Sequence, residues 1–190
     1  MAGPGTAMGI ANYQWNTTQQ APLGFVHTIP ASYTPDGVGE VSSVYVGLTL
    51  WAQPATTALG SDTTGLLLKH GINGSFDNCV LMDAGASYDT AVGVINTDLF
   101  SAVPKTQNNM GHPAFVAGDV IYGFVICRGQ TPIQCGNGAL TNQEGIIPDQ
   151  AGADGQWDTV AAISDATLGF SFTNELTQGD IKTGWVSIIG

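Results

Sequence analysis

The sequence predicts an all-β protein, either a β-sandwich of jelly-roll-like layout or a β-barrel, with an extended N-terminal arm. Three observations predict it. Short runs rich in β-branched and aromatic residues recur every 8 to 12 residues or so, broken by Gly and Pro. No segment sustains a 3.6-residue apolar period over three turns. One eight-residue phrase, G-D-[VI]-x-x-G-[FW]-V, occurs at residues 118–125 and again at 179–186.

The elements follow in chain order. Residues 1–22 mix Gly, Pro, Asn, Gln and Thr with Met8, Ile10, Tyr13 and Trp15, a composition that cannot bury a core of its own. Aromatic rings are costly to leave in water, so this arm is expected to dock, on its own body or on a neighbour, through those four residues. Residues 23–190 form one all-β domain, of which 114–190 is the barrel-like part. Thr34-Pro35-Asp36-Gly37 is a turn, and residues 40–52 behind it alternate as a strand. Short apolar runs at 65–71 and 76–85 are further strands. Residues 87–100 hold a strand and then a single helical turn near Leu99. The clearest strand is 114–127. Residues 134–155 read as a long loop or two short edge strands, and strands at 156–163, 167–173 and 180–189 close the chain.

In the repeated phrase, Gly supplies a positive φ and Asp bonds nearby amides, so each copy is a turn entering a strand. By the period of two, Val120, Tyr122 and Phe124 share one face, as do Ile181, Thr183 and Trp185. Gly123 and Gly184 are expected at a bulge or a close backbone approach where a barrel bends. The two copies are expected at two edges of one closed sheet. Trp51, Trp157 and Trp185 are expected in the core.

Composition bounds the partners. The 190 residues carry a formal net charge of −11 from 4 basic and 15 acidic residues. This opposes nucleic acid, which needs clustered Lys and Arg, and opposes an anionic membrane surface. Only 10% of residues are charged, against about 25% in ordinary soluble domains. A surface poor in Lys and Glu loses little when a neighbour covers it, which suggests a subunit of an assembly. The N-terminal residues have neither the basic stretch nor the apolar stretch of a signal peptide. Cys79, Cys127 and Cys135 are an odd number. Cys127 and Cys135 flank the turn-like RGQTPIQ and could pair across a hairpin, but buried free thiols fit better.

Chemistry-bearing motifs are poor. Nucleophile elbow, phosphate loop, H-E-x-x-H and C-x-x-C are absent from the sequence. His27, His70 and His112 are isolated. Asp149, Asp154 and Asp158 lie close together, yet their spacing does not match a calcium loop and suits an ordinary turn. Facing carboxylates for glycoside hydrolysis could hide among the 15 acids, most of which stand in turn contexts. No catalytic residue, metal or cofactor is therefore assigned, and the chain reads as a non-enzyme.

Thr167-Leu168-Gly169-Phe170, a polar connection through 174–177, and Gly179-Asp180-Ile181 before a final strand resemble the C-terminal end of small β-barrel proteins that decorate tailed-phage heads. Gly118-Asp119-Val120 and Gly138-Ala139-Leu140 are similar to two further elements of that group. The resemblance covers residues 114–190. It implies a structural virion protein, a capsid cement or decoration subunit. Such a subunit binds the major capsid protein on the outer shell, assembles in the host cytoplasm and commonly forms a homotrimer. The chain is longer than the smallest such proteins. A carbohydrate- or receptor-binding β-module on a virion surface is the alternative.

Overall fold

The computed structural model describes residues 15–34, 37–51, 59, 63–85, 90–100, 117–162, 164 and 167–188. The protein is all-β: among the described residues, ten strands in one curled antiparallel sheet form a half-barrel. They are β1 (Val26–Ile29), β2 (Val41–Thr49), β3 (Leu67–Lys69), β4 (Val80–Leu81), β5 (Ala91–Val94), β6 (Val120–Gln134), β7 (Gly145–Pro148), β8 (Trp157–Val160), β9 (Gly169–Ser171) and β10 (Ile181–Ser187). Along the curl the order is β4-β3-β5-β6-β10-β9-β7-β8, and β2 lies on the other edge of β6 with β1 beyond it.

The 15-residue β6 is the axis. β2 pairs with it from Thr49↔Val120 to Ser42↔Arg128, and β10 pairs with it from Arg128 to Gln134 on the opposite edge. The register shifts between Ser42 and Ser43, which leaves Cys127 without a counterpart. Such a bulge bends a strand and raises its twist. Two residues on, Gly129 has φ +115, and a Cβ there would lie 2.9 Å from Cγ1 of Val41. The sheet curls here, so one strand serves both the β2 side and the β10 side.

This corrects two expectations. RGQTPIQ is the second half of β6, not a turn, because β10 supplies a full partner for it. Cys127 and Cys135 therefore sit at different points of one extended run, and all three cysteines are free and buried. Pro132 is tolerated because β2 leaves at Arg128, so from there β6 has a strand partner on one edge only. Both copies of the phrase do open with a positive-φ glycine, Gly118 (φ +91) and Gly179 (φ +85). Their strands, however, are not edges: β6 and β10 lie side by side within the sheet, each flanked on both sides.

Residues 134–155 hold one strand, β7, and it is paired on both sides by β8 and β9. The helical turn near Leu99 is present as one bond from Phe100 N–H to Asn96 O (2.9 Å), with Asn96 Oδ1 accepting from the amides of Asp98 and Leu99. β1 has no counterpart in the sequence reading. Its exposure alternates only weakly, and it is a strand because β2 offers it an edge.

The core lies inside the curl. Tyr45 meets Phe124 edge to face at 5.0 Å, Phe100 meets Phe124 at 5.8 Å, and Trp157, Leu48, Leu67, Ile126 and Ile133 are wholly buried. Trp157 donates its indole N–H to Gly65 O at 2.8 Å. Trp51 is half-buried against this core.

Candidate functional site

Residues Met8, Ile10 and Tyr13 lie outside the described residues; Trp15 does not. It is 1% exposed and packs over Gly123 of the chain's own β6. Asn16 extends the contact as a bridge to Tyr122, with Asn16 N–H donating to Tyr122 O at 2.8 Å and Tyr122 N–H to Asn16 O at 2.7 Å. Gly123 is not at a bulge, since it pairs in register with Val46; what approaches it is the indole of the arm, and a Cβ there would fall 2.6 Å from its Cε3. The indole Nε1 has no hydrogen-bond partner among the described residues.

Trp185 corrects a third expectation, because it is not core. Val186, Gly184, Ser171, Ile146, Ile133 and Thr131 point into the curl and are buried. Pleating sends their neighbours outward. Cross-strand registers then put Gln130, Trp185 and Phe170 in one line over β6, β10 and β9. Trp185 and Phe170 are half-buried, and neither is among the residues packed against the core. Around them on the same face stand Thr183, Pro132, Ile181 (39% exposed) and Phe172 (47%). Leu176, at 86%, projects from the loop that leads into β10. Arg128 and Ser187, paired with each other and exposed, border one end.

Single exposed apolar side chains are ordinary, but a contiguous aromatic and aliphatic face marks a place that another molecule covers. Sequence reasoning put Trp185 inside because a Trp in a strand is usually buried. The signal that could have moved it is the alternation itself: in I-K-T-G-W-V-S, Val186 and Gly184 form the other face.

The remaining candidates arrange differently. An open groove of about 820 Å³ beside β3 is lined by Lys69, His70, Ile72, Asn73 and Asn78, among others. Lys69 pairs with Asp83, and His70 stands edge-on to Phe76 at 4.7 Å. His27 lies between Phe25 and Phe124, where burial pushes its pKa down. His112 lies outside the described residues. Burial pushes the thiols of Cys79 and Cys127 up to about 11, and that of Cys135 upward also. Glu175 is held down to about 2, first by Lys182 at 2.8 Å and then by the amides of Thr177 and Leu176. Leu140 of the Gly138-Ala139-Leu140 element is buried and bridges to Glu175.

Of the three clustered aspartates, Asp149 and Asp158 come together while Asp154 turns away to accept from Ala84 N–H at 3.1 Å. Among the described residues, no group of three or more His, Cys, Asp or Glu side chains gathers as a metal site. Glycines 136 and 138 make room for the pair, since a Cβ on either would lie 2.7–2.8 Å from a carboxylate atom. Neither a family model nor a curated protein matches this chain.

Proposed function

We propose that the chain is a non-enzymatic structural protein of a virion. In this reading it is a cement or decoration subunit that seats on the outer surface of a tailed-phage head and stabilises the mature shell. The observation that carries the reading is the outward line Gln130-Trp185-Phe170 with Phe172 and Ile181 beside it. Aromatic side chains are the usual anchors of protein interfaces, and the scarcity of Lys and Glu leaves little charge to desolvate around them. The partners would be the major capsid protein and further copies of the chain, in a homotrimer. Trp15 is seated on its own sheet, so an arm contact with a neighbour would use Met8, Ile10 and Tyr13. Multivalent attachment across a seam lets weak contacts add through effective concentration. Net charge −11 suits an outward position rather than one against packaged DNA.

The test is co-sedimentation of the purified protein with mature and immature shells. Wild type should bind mature shells, and Trp185→Ser with Phe170→Ser should weaken that binding at least about tenfold while the protein stays folded. Binding to neither shell overturns the proposal. One observation favours the carbohydrate-binding alternative: Trp185 has Gln130 across the ladder and Thr183 two residues away on its face, a ring with polar groups beside it. Glycan-array binding that the Trp185→Ser variant loses would select that reading instead.

A further inference from the structure

The ladder of the half-barrel leaves its two ends, β4 and β8, unpaired with each other. What joins them is the loop between β7 and β8. Leu67 N–H donates to Gly155 O and Gly155 N–H to Met82 O, both at 2.7 Å. Gly85 N–H donates to Asp149 O at 2.8 Å, and Ala84 N–H to Asp154 Oδ1 at 3.1 Å. The loop closes on itself through Asp149 N–H to Gln156 O at 2.9 Å. Closure of the curl therefore depends on this loop keeping its shape.

Two carboxyl groups keep it. Asp149 Oδ1 accepts from the amides of Ala151 (3.0 Å) and Gly152 (3.1 Å), and its Oδ2 from Asn137 (3.2 Å). Asp158 Oδ1 accepts from Gly138 N–H (2.7 Å), and its Oδ2 from Gln150 N–H at a long 3.3 Å. Asp149 is 1% exposed and Asp158 8%, and the two carboxylates crowd one slot, since a Cβ on Gly136 would lie 2.8 Å from both Asp149 Oδ2 and Asp158 Oδ1. Two like charges so placed repel, whereas one proton between them makes a bond. The donors decide where it goes. Asp149 receives three amides and is best as the anion. Asp158 receives only one short and one long amide bond, so a proton costs less there.

We propose that Asp149 and Asp158 form an acid-strengthened clasp: a single proton held on Asp158 ties the two side chains together and locks the 149–156 loop that closes the half-barrel, and loss of that proton loosens the closure.

The directions of titration agree. Burial pushes Asp149 up, but the amides of Ala151, Asn137 and Gly152 and the bond from Asp158 outweigh it and leave it below the usual value. Burial raises Asp158, and the neighbouring Asp149 charge adds to this against the pull of Gly138 and Gln150. A raised group contributes stability below its unfolded value, and that contribution fades as pH rises through the folded one. A depressed group contributes above its unfolded value and fades as pH falls. The singly protonated clasp therefore occupies a window bracketing the ordinary Asp pKa, and Asp158 loses its proton above it. Other ionisable groups nearby are committed elsewhere. The Cys135 thiol senses Glu175, Asp158 and Asp180, Glu175 is tied to Lys182, Asp154 to the Ala84 amide, and Lys69 to Asp83.

The experiment is amide hydrogen exchange on the full chain at about pH 4, the ordinary Asp value, and about pH 8, corrected for the intrinsic pH dependence of exchange. The reporters are Leu67, Gly85 and Gly155, whose N–H groups make the closing bonds, and the control is Tyr45, whose N–H bonds Phe25 O at 2.9 Å within the β1–β2 region. Wild type should protect the three reporters more at the lower pH, with Tyr45 unchanged. Asp158→Asn keeps an acceptor for Gly138 and offers a permanent donor to Asp149, so its reporters should be protected equally at both values. Asp149→Asn turns one of the two oxygens that together accept from three amides into a donor and should expose the reporters at both. Wild-type protection that does not change with pH, or Asp158→Asn tracking wild type, overturns the proposal. If Asp149→Asn fails to fold, the comparison of wild type with Asp158→Asn still decides.

Discussion

Removing the Trp15 side chain asks how firmly the N-terminal segment is held. The indole is wholly buried over Gly123, and truncating such a side chain costs about 3–5 kcal/mol. Its N–H has no partner among the described residues, and a buried orphan donor costs about 1–3 kcal/mol. Trp15→Ala removes that penalty as well, so the net loss should be about 2 kcal/mol. For a chain of 190 residues this lowers the thermal midpoint by roughly 4–8 °C. Trp15→Phe keeps most of the ring, drops the orphan and should cost less than half as much.

The decisive form is a double-mutant cycle with Gly123→Ala. Alone, that substitution drives a methyl group into the indole and should cost about 1–3 kcal/mol as overpacking. In the Trp15→Ala background the same methyl enters vacated space. It should then be neutral or stabilise by up to about 1 kcal/mol, through the stiffer unfolded chain. Urea unfolding of the four proteins measures the coupling, expected at about 2 kcal/mol. Additivity within about 0.5 kcal/mol would mean that Trp15 does not occupy the Gly123 slot in solution.

Three further outcomes follow from the geometry. Trp185→Ser alone should shift the unfolding free energy by less than about 1 kcal/mol, since the ring lies outside the core; a loss of Trp157 size would show that it packs inward. Native protein at about pH 8 should resist thiol reagents, because a thiol with pKa about 11 is thiolate in roughly one molecule per thousand. All three cysteines should label in urea, and rapid native labelling of Cys79 or Cys127 would contradict the burial. Gly65→Ala should cost more than about 2 kcal/mol by calorimetry, since φ is +89 and the Cβ would sit 2.9 Å from the Gln134 amide nitrogen. A cost below about 0.5 kcal/mol would remove Gly65 as the junction of β6 and the Trp157 indole.

By itself the sequence determined the class of structure and the location of most strands. Alternation in residues 40–52, the positive-φ glycines of the two Gly-Asp turns and the small residue at 123 are local requirements, written where they act. It also determined that a tryptophan in the arm needs cover. Tertiary structure alone decided which partner each strand takes. RGQTPIQ has the composition of a turn and becomes strand because β10 supplies its hydrogen bonds, and residues 26–29 become strand because β2 has a free edge. Trp185 and Trp157 are both tryptophans in strands, and only the direction of curl separates the outward ring from the buried one. Asp149 and Asp158 likewise read as turn residues. Their pairing comes from the β7–β8 hairpin, whose register sets Ile147 against Asp158 and Pro148 against Trp157, and only tertiary structure brings the loop they hold against residues 67–85. Local propensity acts over a few residues, whereas curvature and edge pairing are set by contacts between distant ones, so no single segment can encode them.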